Sequence, residues 1–254
     1  MVEIGRLDRI TAVIGERGMG KSTLLKMDTR AFQREAGGYV IGHSPRGQIG
    51  ADLDITFYDR MDGWRGLERG LFRHPERIHI LTQGPVEQMF EFSERLSLAI
   101  RKRAWQDRRD ELDRHGWNGI ARTGGFNPSR PAIKGTMAPP VLLLVDEGTS
   151  MKRHPSNEEI ERLERFLVNA RHNHIGFTWS IQSPTNRQWV ILEQANRFRI
   201  FRYTHQYGAT GLMAAGIPKE VAYTVHDLPA FSYYRHDKGP EGLCKYEILP
   251  FPKS

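Results

Sequence analysis

Residues 15–22 read GERGMGKS, directly after the apolar stretch RITAVI at 9–14. The octet fits the pattern G-x-x-x-x-G-K-[ST], with Gly15, Gly20, Lys21 and Ser22 at its fixed positions. Each fixed position has a physical reason. Glycines allow positive φ and close backbone approach to a phosphate, a lysine reaches the outer phosphates, and a hydroxyl ligates magnesium. A buried strand before the loop and a helix predicted over Lys21–Ala36 complete the setting, because a helix N-terminus favours negative charge. The expected cradle is Gly15, Glu16, Arg17, Gly18, Met19, Gly20, Lys21, Ser22 and Thr23.

A partner for this loop lies far along the chain, in PVLLLVDEGTS at 140–150. The apolar run predicts a central strand, and its two acids emerge at the C-terminal end, where open α/β sheets place their ligands. Asp146 is expected to hold magnesium through water, and Glu147 to polarise the attacking water. An adjacent Asp-Glu pair separates the chain from GTPase-like sites, in which a glutamine or a partner orients the water. ATP is therefore favoured over GTP, although no base-specific motif is visible. The long separation of Lys21 from Asp146, with extra strands between them, fits the additional-strand class of P-loop ATPases better than the kinase-like class. In that class a polar residue ends the strand beside the acidic one and senses the γ-phosphate. Here GFTWSIQ delivers Gln182.

The remaining pattern predicts one α/β domain over the 254 residues. Short strands are expected at Tyr39–Gly42, Asp54–Tyr58 and Arg77–Thr82, and a long helix from Pro85 to about Asp113. The Gly-, Pro- and Arg-rich stretch 116–140 has no period and reads as a mobile loop. Ser156 and Glu159 form a capping box ahead of a helix. A strand at Phe177–Gln182, a helix at Gln188–Ala195 and a last central strand at Phe198–Tyr203 follow. The tail, 204–254, is expected to hold small helices near 207–214 and 218–225 and edge strands at 231–235 and 244–249. Strands alternating with helices imply a mostly parallel sheet covered on both faces, in the RecA-like form of the P-loop NTPase fold.

Composition narrows the partners. A net charge of +7 suits a polyanion, since Lys and Arg neutralise phosphates and release counterions. With a mean hydropathy of -0.55 and no apolar run near 18 residues, no membrane-spanning helix is expected. The opening MVEIGRLDRI lacks the basic and apolar regions of a signal peptide. The single cysteine, Cys244, cannot form an internal disulfide and fits a reducing compartment such as the cytoplasm. No zinc-ligand spacing, Ser-His-Asp constellation or cysteine nucleophile stands out.

The stretch RHNHIGFTWSIQSPTNR at 171–187 resembles the FtsK–HerA superfamily of DNA pumps, where a helix ends in an Arg-His element before an apolar strand, a terminal Gln and a Ser/Arg-Pro. The region ANRFRIFRYTHQYGATGLMAAGIPKEVAYTVHDLPAFSYYRH is similar to that family's tail. The resemblance covers roughly 9–23 and 141–235 and leaves the middle third unmatched. In its small size the chain looks most like the genome-packaging ATPases of membrane-containing double-jelly-roll viruses. The resemblance implies a ring, hexameric or pentameric, that threads double-stranded DNA and binds ATP between neighbouring subunits. It implies a place in the host cytoplasm or at a packaging vertex, docked on a capsid or portal protein.

In such rings a neighbour's arginine meets the charge that builds up as the γ-phosphate departs. Position within the resemblance points to Arg197 or Arg199, with Arg171 a weaker candidate. Strand alternation distributes Arg197, Arg199 and Arg202 over differing faces, so not all can serve. For DNA, the acid-free loop ARTGGFNPSRPAIK offers Arg122, Arg130 and Lys134 for sequence-independent phosphate contact. The helical stretch Arg101–Arg114 mixes bases with acids and reads more readily as a solvated face.

Rival readings are a conjugation, plasmid-transfer or filamentous-phage assembly ATPase, a non-catalytic nucleotide switch or scaffold, and a recombination-type filament ATPase on single strands. Intact Glu147 opposes the scaffold. The last needs stacked aromatics, of which the loop 121–134 offers only Phe126.

Overall fold

The computed structural model describes residues 9–44, 55–58, 64–82, 86–115, 126–127, 138–146, 156–182, 189–203, 208–238 and 244–250. Its framework is a sheet of nine strands. In chain order these are β1 (Ile10–Ile14), β2 (Tyr39–His43), β3 (Ile55–Tyr58), β4 (Ile78–Leu81), β5 (Val141–Val145), β6 (Ile175–Ile181), β7 (Arg197–Phe201), β8 (Ser232–Lys238) and β9 (Cys244–Pro250). Across the sheet they run β3-β4-β2-β5-β6-β1-β7-β8-β9. From β3 to β7 every pairing is parallel, and β8 and β9 add antiparallel. Strands β1, β5 and β6, predominantly apolar, are buried along their whole length, as parallel strands covered on both faces must be.

The sheet's two faces are packed differently. One face is covered by the helix α1 (Lys21–Ala36), which sets Leu24 and Leu25 against Val13, Val40, Leu142, Leu144 and Phe201. The other carries α3 (Glu87–Arg114) and α4 (Asn157–His172), where Phe90 stacks on Phe166 at 4.7 Å and Phe177 meets Trp179 edge-on at 5.4 Å. The short helices α5 (Trp189–Gln194), α6 (Gly208–Ala214) and α7 (Lys219–Thr224) extend this second core with Ile191, Leu212 and Val221. Ser156 caps α4 in the expected box, its hydroxyl accepting from the Glu159 amide while the Glu159 carboxylate accepts from the Ser156 amide.

Three features depart from the sequence reading. Helix α2 (Trp64–Arg73) was not anticipated, because Gly66 and Gly70 interrupt an otherwise helical spacing of Trp64, Leu67 and Leu71. The strand expected at Phe198–Tyr203 runs instead over Arg197–Phe201, which takes Arg197 into the sheet and leaves Arg202 beyond its end. The segment expected as an edge strand at 231–235 is β8, which lies between β7 and β9. The loop read at 116–140 falls almost wholly outside the described residues. Among the described residues no helix is long and apolar enough to cross a membrane.

Beyond α1 the covered face turns from apolar to charged. Arg199 stands opposite Arg235 in the β7–β8 register, and like charges so placed repel. Asp237 resolves the conflict by accepting from Arg199 Nη1 at 2.7 Å and Arg235 Nε at 2.8 Å, with Arg197 Nε 3.5 Å away. Burial alone would raise the Asp237 pKa, but Arg199 and Arg197, with the hydrogen bonds from Arg199 and Arg235, hold it at about 2. Because the folded value lies below the unfolded one, the stabilisation is present above about pH 4 and is lost as pH falls toward 2. Replacing Asp237 with Asn is predicted to cost about 2–3 kcal/mol in urea unfolding at pH 7. It should also flatten the fall in stability that the wild type shows between pH 4 and 2.

Candidate functional site

The loop after β1 is fixed by its backbone. The Gly15 amide donates to the Ile181 carbonyl at the end of β6, and the Glu16 amide donates to the Arg202 carbonyl just past β7, both at 3.1 Å. The loop is thus tied on both sides of β1. A Cβ on Gly15 would lie 2.5 Å from Phe201 Cβ, so only glycine fits where the chain leaves the strand. Gly15, Gly18 and Gly20 all have positive φ, at 153°, 80° and 100°. Side chains with a Cβ pay about 1–2 kcal/mol for left-handed backbone of the Gly20 kind.

Helix α1 begins at Lys21 with Gly20 as its N-cap residue, no side-chain capping bond and no acid in its first turn. Its first amides have no intrahelical acceptor, and no cap satisfies them from the side. Lys21 is 8% exposed and donates to the Gly15 and Glu16 carbonyls at 2.7 and 2.6 Å. The result is a glycine loop at a helix N-terminus with a positive side chain folded over it, a setting that suits an anion. Ser22 and Thr23 occupy the next two positions of α1.

The acidic half comes to the same edge. Asp146, only 2% exposed, follows β5, and its amide is anchored to the His43 carbonyl at 2.9 Å. Between β5 and β1 lies β6, and Gln182 follows its last residue. Asp146, Gln182 and Gly15 therefore stand at the ends of three adjacent strands. Two strand spacings amount to about 10 Å, room for phosphate between the loop and the acid. Glu147, Arg122, Arg130 and Lys134 lie outside the described residues.

Asp146 and Ser22 form a set suited to magnesium, which takes one or two protein oxygens and completes its shell with substrate phosphate and water. Among the described residues there is no cluster of three or more His, Cys, Asp or Glu that could enclose a metal by itself.

Two of the arginines expected to act from a neighbouring subunit have a partner within their own chain. Arg197 and Arg199, two apart, share one face of β7, and both are engaged by Asp237 in their own chain. Arg199 is 6% exposed. Burial, reinforced by Arg199, pushes the Arg197 guanidinium down to about 10 against the pull of Asp237. Their sequence setting did not show this, since Asp237 is contributed by β8, dozens of residues later. Facing them from α1, Asp28 has its pKa raised by burial, with Arg199, Arg197 and Arg235 opposing. On α3 the basic stretch is paired along the helix, as in Arg108–Glu111 at 2.6 Å.

No protein-family model matches the sequence, and no curated protein matches it. Solved structures do. The genome-packaging NTPase B204 of Sulfolobus turreted icosahedral virus 2, in its sulfate complex, superposes with a TM-score of 0.60 at 15% identity, covering 98% of this chain and 100% of that one. Its ATPγS complex gives 0.58 at 16% identity, covering 97% and 99%. EssC (ATPases 2 and 3) from Geobacillus thermodenitrificans gives 0.54 at 12% identity, over 97% of this chain and 40% of that one.

Changing Gly15 to Ala is predicted to destabilise the protein by about 2 kcal/mol or more, because the new methyl overlaps Phe201. Thermal denaturation should show the loss even without ligand. At identities this low the likeness is one of fold, and the chain has the P-loop NTPase fold in its additional-strand form, with β6 between β1 and β5, as the separation of Lys21 from Asp146 predicted.

Proposed function

We propose that the chain is an ATP-hydrolysing double-stranded DNA translocase of the FtsK–HerA type, a viral genome-packaging motor. The observation that carries this reading is the convergence of Gly15–Ser22, Gln182 and Asp146 on one sheet edge in the order β1, β6, β5. The fold shared with a viral genome-packaging NTPase and the +7 net charge support the cargo.

In this reading the loop amides and Lys21 bind the nucleotide's phosphates and orient the outer one. Ser22 and Asp146 would hold magnesium, which would supply positive charge beside the nucleotide's phosphates. Glu147 takes the proton of the attacking water, and Gln182 hydrogen-bonds the γ-phosphate and reports its loss to β6. In a ring of five or six subunits a cation from the neighbour completes the site. If Arg197 or Arg199 is that cation, it exchanges Asp237 for phosphate on assembly. Arg122, Arg130 and Lys134 grip the duplex backbone without reading bases.

Lys21→Ala is expected to bring ATP turnover to background, and wild-type-like turnover in that variant would remove the ATPase reading. Duplex DNA should raise wild-type turnover at low salt, with the stimulation fading as salt increases, because phosphate contacts release counterions. If DNA neither binds nor stimulates at low salt, the motor reading fails and the ATPase reading stands.

A further inference from the structure

Arg202 follows β7 at the edge that carries the loop. Its carbonyl receives the Glu16 amide, while the Glu16 carbonyl receives the Lys21 ammonium at 2.6 Å. One loop residue is therefore held between Lys21 and residue 202. Phe201, immediately before, is the residue against which Gly15 is packed. Arg202 is accordingly fixed relative to the cradle by two independent contacts, one hydrogen bond and one close approach.

Its want of a carboxylate sets it apart from its neighbours, although Arg197 Nε is equally buried without a hydrogen bond. Arg197, Arg199 and Arg235 all converge on Asp237. Arg202 Nε is closed to solvent and has no hydrogen-bond partner. Among the described residues no carboxylate pairs with its guanidinium. A buried donor without an acceptor costs about 1–3 kcal/mol, and more when it is charged. Such a group calls for an explanation, and the simplest here is an anion that the protein chain does not itself supply. A phosphate suits a guanidinium especially well, since its oxygens accept two parallel N–H bonds.

We propose that Arg202 contacts the nucleotide from within its own subunit, donating to a phosphate oxygen of the ligand seated in the Gly15–Ser22 loop. The assignment rests on the reading of that loop as a nucleotide site. Within one subunit it separates Arg202 from the arginines that Asp237 engages. In the single chain Arg197 and Arg199 meet Asp237, and Arg202 serves the subunit's own ligand.

Calorimetric titration with AMPPCP, ADP and adenosine tests this on wild type, Arg202→Ala, Arg202→Lys and Lys21→Ala. Arg202→Ala should weaken AMPPCP and ADP about ten- to a hundredfold. Adenosine should bind as it does to wild type, and Arg202→Lys should recover part of the loss as a point charge. The thermal midpoint of ligand-free Arg202→Ala should not fall, whereas a merely structural arginine would lower it. Wild-type AMPPCP affinity in Arg202→Ala, or an equal loss for adenosine, would overturn the assignment.

Mixing Lys21→Ala with Arg202→Ala chains checks the subunit. Turnover restored above the sum of the two would mean action across subunits and would overturn the within-subunit claim. The two readings fail separately. If wild type binds and Lys21→Ala does not, while Arg202→Ala binds as wild type, only Arg202 loses its role. If wild type binds no AMPPCP, the nucleotide site falls and Arg202 with it.

Discussion

Two backbone hydrogen bonds hold the functional edge in place: Gly15 to Ile181 and Glu16 to Arg202. They tie the loop to the ends of the strands on either side of β1, so its glycines are not free to wander. Everything the loop can do depends on this fixation. Amides aimed at a phosphate contribute most when they need no reorganisation to meet it. Gly15 makes the fixation possible, because Phe201 occupies the space a side chain would need. Helix α1, uncapped and free of acid at its start, then directs its amides into the same concavity.

The two faces of the sheet divide the remaining work. The α3–α4 face is a dense aromatic and aliphatic core whose ring contacts fasten α3 and α4 to β6, the strand that ends before Gln182. The α1 face is apolar over the central strands and becomes an ionic cluster over β7 and β8. That cluster attaches the antiparallel β8–β9 pair to the parallel sheet. Its charges are held by one acid among three arginines, an arrangement whose net contribution depends on good geometry, because each partner gives up water. Asp28 on α1 faces the same arginines, so the helix that starts at the loop also borders this cluster.

Much of the site was legible in sequence because local rules set it. The strand–glycine loop–helix run at 10–36, the capping box at Ser156–Glu159 and the apolar strand ending in Asp146 each follow from short-range chemistry. Helix α2 was not legible, since its glycines weaken the local pattern and its Leu71 is secured only by burial in the core. The arginines of β7 were legible as residues and not as partners. Asp237 reaches them only through the β7–β8 pairing, and nothing near Arg197 signals it. Arg202 was likewise visible as a basic residue after a strand. Its lack of an acceptor and its bond to Glu16 are properties of the folded edge alone.

By itself the sequence determined that residues 15–22 would bend as a glycine loop after a buried strand, and that Asp146 would follow another, because steric freedom and hydrophobic runs are local properties. Only the tertiary structure decided that β6 stands between those two strands, that Asp237 takes Arg197 and Arg199, and that Arg202 abuts the loop. Those are contacts between segments far apart in the chain, selected by which faces can be buried together and which charges can be paired once they are.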